Sequence, residues 1–242
     1  MKRAILTGAT GAVGIALIKE LVSHDVEVLV FCREGSKRNA QIPEHKLVTK
    51  KYCSLSELAT VQNDTGKDYD CFYHFAWEGT TGTARNDMYL QNQNVKYALD
   101  AVAAAKRFGC HTFIGAGSQA EYGRVEGVLK PDTPAFPEMG YGIGKLCAGQ
   151  MTREYAHQLG MKHIWTRILS VYGPNDGAQS MVMSTINKLK MVKFHSIQKV
   201  NRCGITCTVG MRQRHLDCWE NVASMGKFMY LEVELRVRWL NT

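Results

Sequence analysis

Eight residues near the N-terminus, "TGATGAVG", constrain this chain more than any other stretch. Gly8, Gly11 and Gly14 fall three residues apart, between a short apolar run, "RAILT" (Arg3–Thr7), and the apolar-periodic run "AVGIALIKELVSH". Read as strand, turn and helix, this junction lets the backbone bend sharply and brings N–H groups close to an anion with no Cβ in the way. The helix N-terminus adds a partial positive charge suited to a pyrophosphate. Gly8, Gly11, Ala12, Val13 and Gly14 are therefore the expected phosphate-binding segment. A glycine triplet alone is weak, since Gly is common in turns; at the first strand–helix junction of an alternating chain it points to a dinucleotide.

The alternation is present. "VEVLVFC" (Val26–Cys32), "KLVTKKY", "YDCFYHFA" (Tyr69–Ala76), "CHTFIGAGS" and "KHIWTRILSVYGP" read as five further strands. Between them, "NDMYLQNQNVKYALDAVAAAKRFG" and "YGIGKLCAGQMTREYAHQLG" carry apolar residues at helical spacing, each closed by a Gly. Such a chain is expected to form an α/β fold, a doubly wound parallel sheet with ligands bound beyond the carboxyl ends of its strands.

Composition narrows the class. The chain has 242 residues, 45% apolar and 21% charged, as in a globular protein of one large domain with or without a small lobe. No run of about 18 apolar residues exists to span a membrane, and the N-terminus is too short in apolar residues for a signal peptide. Eight Cys without a CxxC pair fit reduced thiols and a cytoplasmic location. The net charge of +8 comes from dispersed Lys and Arg, with no basic block interleaved with aromatics, so no nucleic-acid partner is expected.

The end of the second strand is where an adenosine ribose would be read. Arg33 follows the strand in "FCREGSKR", with Lys37 and Arg38 behind it. An Arg here favours the 2′-phosphate of NADP; Glu34 could instead bond the 2′-hydroxyl of NAD, and Arg33 could be a solvated loop charge. NADP is the expected cofactor, with NAD the alternative.

Further along stand "HFAW" after the fourth strand, "GSQAEYG" after the fifth, "YGIGK" at the start of the next helix, and "RILSVYGP". With "TGATGAVG", and in this order, they resemble the extended short-chain dehydrogenase/reductase family in its NAD-dependent epimerase/dehydratase branch, over roughly residues 1–190. The resemblance implies an NAD(P)-binding Rossmann fold and a Tyr-xxx-Lys pair facing the nicotinamide. Tyr141 and Lys145, one helical turn apart, match that pair; the spacing by itself would equally suit surface decoration. The ammonium of Lys145 is expected to pull the Tyr141 phenol below its usual value near ~10 and to hold the nicotinamide ribose. Tyr141 then exchanges a proton with a sugar oxygen while hydride moves. Ser118 matches the residue that hydrogen-bonds the substrate carbonyl. Ala76 is expected to pass close to the cofactor. Asn94 falls where the family often has an Asn near the active site, or is simply a polar helix residue. His74 reads as a satisfied core histidine rather than a catalyst.

Departures from the family pattern narrow the chemistry. Related dehydratases carry Asp-Glu directly after the catalytic Ser or Thr; here those positions are Gln119 and Ala120. What the resemblance leaves is reduction of a 4-keto group or 4-epimerisation on a nucleotide-linked sugar, with reductases of deoxysugar and polysaccharide biosynthesis as the model. Ser170 stands where "NVYGP"-type motifs have an Asn contacting substrate. A homodimer through the helices after the fourth and fifth strands would follow the family.

After Lys190 the character changes. Residues 191–242 lack clear periodicity and match no family pattern, so the chain divides into a dinucleotide-binding domain, 1–190, and an anomalous tail, 191–242, with the substrate lobe incomplete. Cys203, Cys207, His215 and Cys218 are possible zinc ligands, but their spacing fits no familiar finger or ribbon, and no metal is expected. A reading-frame shift accounts for the tail better. Back-translated with permitted codons and read one base earlier, 191–234 yields a peptide containing "WDYLYSGDAA" and "KVYVLGSG", which resemble the family's aromatic-Asp segment and a following strand. Two readings follow: an NAD(P)-dependent enzyme, which the Ser-Tyr-Lys residues favour, or a non-catalytic dinucleotide-binding module or defective family member, which the tail favours.

Overall fold

The computed structural model describes residues 1–130, 132–178, 180–190 and 206–208. Six strands, β1 (Arg3–Thr7), β2 (Glu27–Cys32), β3 (Val48–Tyr52), β4 (Cys71–His74), β5 (Thr112–Ser118) and β6 (Lys162–Ile168), form one sheet in the order β3-β2-β1-β4-β5-β6. Every pair is parallel. Parallel strands buried on both faces carry continuous apolar runs rather than alternation, which is why β1, β2 and β4 read so clearly. β3 lies at the sheet edge, and its "VTKKY" leaves three of its five residues exposed. Charges on an edge discourage pairing with other chains.

Helices cover the two faces. Leu17, Ile18 and Leu21 of α1 (Ala12–Ser23) pack on Ala4, Leu6, Val28, Val30 and Tyr73. On the other face, Ala101, Val102 and Ala105 of α2 (Met88–Arg107) and Ala156 of α3 (Gly140–Gln158) join Ile5, Phe31, Phe72 and Phe113. Register aligns Phe72 with Phe113 and Phe113 with His163 across three strands. Their rings stack at 6.0 and 5.8 Å between centroids. The doubly wound expectation thus holds. The strand order reverses beside β1, so the crevice between the carboxyl ends of β1 and β4 is where such sheets take ligands.

One predicted strand divides. Residues 162–174 read as a single strand, but β6 ends at Ile168, where its partner β5 ends at Ser118. Beyond that point the main sheet offers no neighbour. The chain leaves it as β7 (Ser170–Tyr172), which pairs in parallel with β8 (Thr206–Thr208). α4 (Met181–Lys190) follows β7.

Apart from β8, the tail and three of its four possible zinc ligands, Cys203, His215 and Cys218, lie outside the described residues. Among the described residues no group of three or more His, Cys, Asp or Glu could hold a metal. No described helix is long and apolar enough to cross a membrane. Cys32, Cys53, Cys71, Cys110 and Cys147 form no disulfide.

Candidate active site at the carboxyl edge of the sheet

The glycine turn is shaped by close approaches. Gly8 has φ +78°, and a Cβ there would sit 2.6 Å from the backbone carbon of Phe75 and 2.7 Å from the amide nitrogen of Ala76. A Cβ on Gly14 would lie 2.3 Å from the Gly8 carbonyl. These two positions fold the turn onto the β4 connection and onto α1. At Gly11 a Cβ would meet only the Gly8 carbonyl, at 3.6 Å, so that side of the turn is open. Gly11 is the N-cap of α1 and gives no side-chain cap. The first helical bond runs from Ile15 N–H to the Gly11 carbonyl, leaving the amides of Ala12, Val13 and Gly14 without a helical acceptor. Uncapped donors on an open, dipole-positive helix end suit a pyrophosphate, so these residues fit a dinucleotide cofactor. Arg33 is exposed just past β2. Arg38, farther along the same connection, donates from Nη2 to the Thr10 carbonyl at 2.9 Å. Sequence reading named Arg38 only as a neighbouring charge; the structure ties it to the turn.

Ser118, Tyr141 and Lys145 converge where β5 ends and α3 begins. Ser118 closes β5 and caps the 3-10 turn Gln119–Glu121, its Oγ accepting from Ala120 N–H at 3.1 Å. Tyr141 brings its phenol toward the same hydroxyl, whose influence lowers the phenol's pKa. Gly142 permits this meeting, because a Cβ there would come within 2.3 Å of the Ala120 carbonyl. Lys145 is 3% exposed, and its Nζ donates to the Ala116 carbonyl at 2.6 Å. It lies 3.8 Å from the centre of the Trp77 ring and 5.9 Å from that of Tyr141. Burial pulls its pKa down to about 7, against an upward pull from Glu121.

The electrostatics of the phenol differ from the sequence expectation. Burial raises the Tyr141 pKa above its ordinary value, while the Ser118 hydroxyl and the positive charge of Arg85 lower it and Glu121 raises it. The Arg85 guanidinium carbon lies 4.2 Å from the ring centre, closer than the Lys145 ammonium. Lys145 is directed toward a carbonyl and an indole face, and Arg85 is the cation on the phenol.

The remaining expected residues support this centre. Asn94 is 1% exposed and spends its amide on backbone: it accepts from Glu78 N–H at 2.9 Å and donates to the carbonyls of Glu78 and Leu90 at 2.9 and 3.0 Å. These bonds hold the loop after β4. Ala76 sits in that loop, its N–H directed to Thr7 Oγ1 at 3.3 Å. His74 is a core residue: its Nδ1 meets Thr7 Oγ1 at 3.0 Å, and burial and the Lys145 charge depress its pKa to about 3, keeping it neutral. Its Nε2 has no partner among the described residues, so the ring is satisfied on one side only.

Sequence reading missed Trp77, Gln91, Arg85 and Glu121, because their work depends on long-range contacts. Glu121 is fully buried and accepts from Ser118 N–H, Trp165 Nε1 and Arg167 Nε at 2.7, 3.0 and 2.8 Å. It thereby ties the end of β5 to β6. Glu121→Gln leaves the buried Arg167 without its counter-charge and is expected to cost roughly 3 kcal/mol, read by urea denaturation of parent and variant. An unchanged midpoint would show that this ion pair carries no stability.

Residues 4–208 match the family model described as "NAD dependent epimerase/dehydratase family". Among curated relatives, the chain is 26% identical over 152 residues to the dTDP-6-deoxy-L-talose 4-dehydrogenase (NAD(+)) of Aggregatibacter actinomycetemcomitans, covering 63% of this chain and 54% of that one. It is 24% identical over 200 residues to the dTDP-4-dehydro-6-deoxyglucose reductase of Escherichia coli, covering 76% and 61%. This chain therefore spans less than two thirds of either relative. The fold is similar to that of a UDP-galactose 4-epimerase, with a TM-score of 0.74 at 22% identity, covering 96% of this chain and 76% of that one. The family match runs 18 residues past Lys190, the limit of the resemblance read from motifs, and ends where β8 ends. A match over most of the length, on a sheet that brings Ser118, Tyr141 and Lys145 to the edge where the glycine turn opens, places this chain in the NAD-dependent epimerase/dehydratase family.

Proposed function

We propose that the chain carries the catalytic half of an NADP-dependent reductase acting on the 4-keto group of a nucleotide-linked sugar, with 4-epimerisation as the alternative outcome of the same chemistry. The observation that carries this reading is the convergence of Ser118 and Tyr141, one helical turn from Lys145, at the edge where the glycine turn opens. A hydroxyl beside a phenol can share a carbonyl oxygen with it: Ser118 donates a hydrogen bond and Tyr141 delivers the proton. A nicotinamide dinucleotide bound by Gly8, Gly11, Ala12, Val13, Gly14 and Lys145 would supply or accept the hydride. Gln119 and Ala120 offer neither acid nor base for removing water, which speaks against a dehydratase. The relatives act on dTDP-linked sugars at position 4 according to their names, in keeping with this substrate class.

Arg33, exposed past β2, and Arg38, tied to Thr10, favour a 2′-phosphate at the adenosine end. A hydrogen bond to a charged group contributes about 1.5–3 kcal/mol, so NADPH is expected to bind roughly tenfold or more tighter than NADH. Fluorescence titration with both cofactors, in the parent and in Arg33→Ala, measures this. Equal affinities in the parent would remove the NADP assignment. A screen of 4-keto-hexose nucleotides with the preferred cofactor tests the activity, and cofactor binding with no turnover of any of them would favour a non-catalytic dinucleotide-binding module.

A further inference from the structure

The connection between β4 and α2 is pinned along its whole length, and it ends by laying a cation on Tyr141. Asn94 holds Glu78 from both sides of its peptide. Gln91, 2% exposed, donates to the carbonyls of Gly79 and Ala84 at 3.2 and 2.9 Å and accepts from Trp77 Nε1 at 2.8 Å. Asn86 accepts from the N–H of Gly140, the first residue of α3, at 2.9 Å. Asp87 caps α2 by accepting from Leu90 N–H. Between these anchors, Arg85 donates from Nη1 to the Thr80 carbonyl at 2.9 Å, which fixes the guanidinium over the phenol ring.

We propose that Arg85 is a positioning residue for Tyr141, supplying the positive charge that steadies the phenol oxygen as its proton leaves. The inference rests on the reading of Tyr141 as the acid–base group of the proposed reaction, and extends it to a residue outside the Ser-Tyr-Lys set. The groups around the phenol leave Arg85 as the nearest cation. Lys145, on the same helix, is 5.9 Å from the ring centre and bonded to Ala116. Glu121, after β5, is negative but paired with Arg167. His74, on β4, is neutral, and Trp77 meets the ring by its edge at 6.2 Å between centroids. A cation within about 6 Å of a ring face is attracted to it, and it favours the charged form of a phenol more strongly still.

The test replaces Tyr141 with 2,3,5-trifluorotyrosine, whose ring fluorines make the phenol more acidic and report its ionisation by 19F NMR. The full chain is titrated without cofactor, with Arg85, Arg85→Gln or Arg85→Lys. Gln can still donate to the Thr80 carbonyl but carries no charge, so it separates electrostatics from loop anchoring. Arg85→Gln is expected to lower the acid constant at position 141 about tenfold, one pH unit, and Arg85→Lys to restore at least half of that shift. A Gln variant within about 0.2 unit of the parent, or a Lys variant displaced as far as Gln, would overturn the proposal. Turnover plays no part in this readout. The shift seen in a chain that reduces no sugar would leave Arg85 in its role and remove the enzymatic reading; an active chain without the shift would do the reverse.

Discussion

Restoring one adenine in the codons for residues 190 and 191 is expected to raise turnover of a 4-keto sugar nucleotide at least about a hundredfold, with cofactor affinity unchanged. The size follows from positioning: an ångström of misplacement at a reacting centre costs on the order of a hundredfold, and on the frameshift reading the shifted residues belong to the lobe expected to close over the sugar. Cofactor affinity should not move, because Gly8 to Gly14, Arg33, Ala76, Ser118, Tyr141 and Lys145 all precede the shift. The structure supplies a specific point of contact. β7 leaves the main sheet and pairs with residues 206–208, and the out-of-frame peptide places its "DYLY" at 205–208, so two aromatic residues would replace Thr206 and Thr208 on that strand. Sequencing the gene around codon 190, then assaying both chains with NADPH and NADH, decides the matter. Equal turnover in the two, or a gene whose intact frame encodes the tail as it stands, would remove the frameshift.

How far the sequence could be read follows from which contacts are local. β1, β2 and β4 were legible because burial on both faces makes each a continuous apolar run, and the glycine turn because its residues are adjacent in the chain. Tyr141 and Lys145 were found through the family pattern, since four residues on one helix would equally suit surface decoration. The direction of Lys145 was not legible. Its partners, Ala116 and Trp77, come from β5 and from the loop after β4, and no spacing rule joins them to α3. Glu121 shows the same limit. It closes the capping box of the 3-10 turn Gln119–Glu121, yet it also bonds to Trp165 and Arg167, more than forty residues on. The break between β6 and β7 was hidden because it depends on where β5 ends. Nothing in "RILSVYGP" marks Ile168 as the last residue with a neighbour to pair with.

Replacing Tyr141 by Phe is expected to reduce kcat/KM about a thousandfold, within the range for removal of a general acid–base group, while leaving fold and cofactor affinity intact. The ring of the variant keeps its place: the Arg85 guanidinium and the Trp77 edge contact the ring rather than the hydroxyl. Only the hydroxyl beside Ser118 and its transferable proton are lost. The pH profile makes the assignment specific. Burial holds the phenol above its ordinary value, so Tyr141 stays protonated through neutral pH. Reduction, which uses the protonated phenol, should be flat there and fall on the alkaline side as the proton is lost. Oxidation of the corresponding alcohol needs the phenolate and should rise over the same interval. In Tyr141→Phe both limbs should vanish together, leaving a slow rate indifferent to pH, whereas a residue that merely shaped the pocket would lower the rate and preserve them. Steady-state rates from pH 6 to about 10, in both directions and on the frame-restored chain, provide the comparison. A variant that turns over as fast as its parent, or keeps both limbs at reduced height, would move the proton transfer to another group.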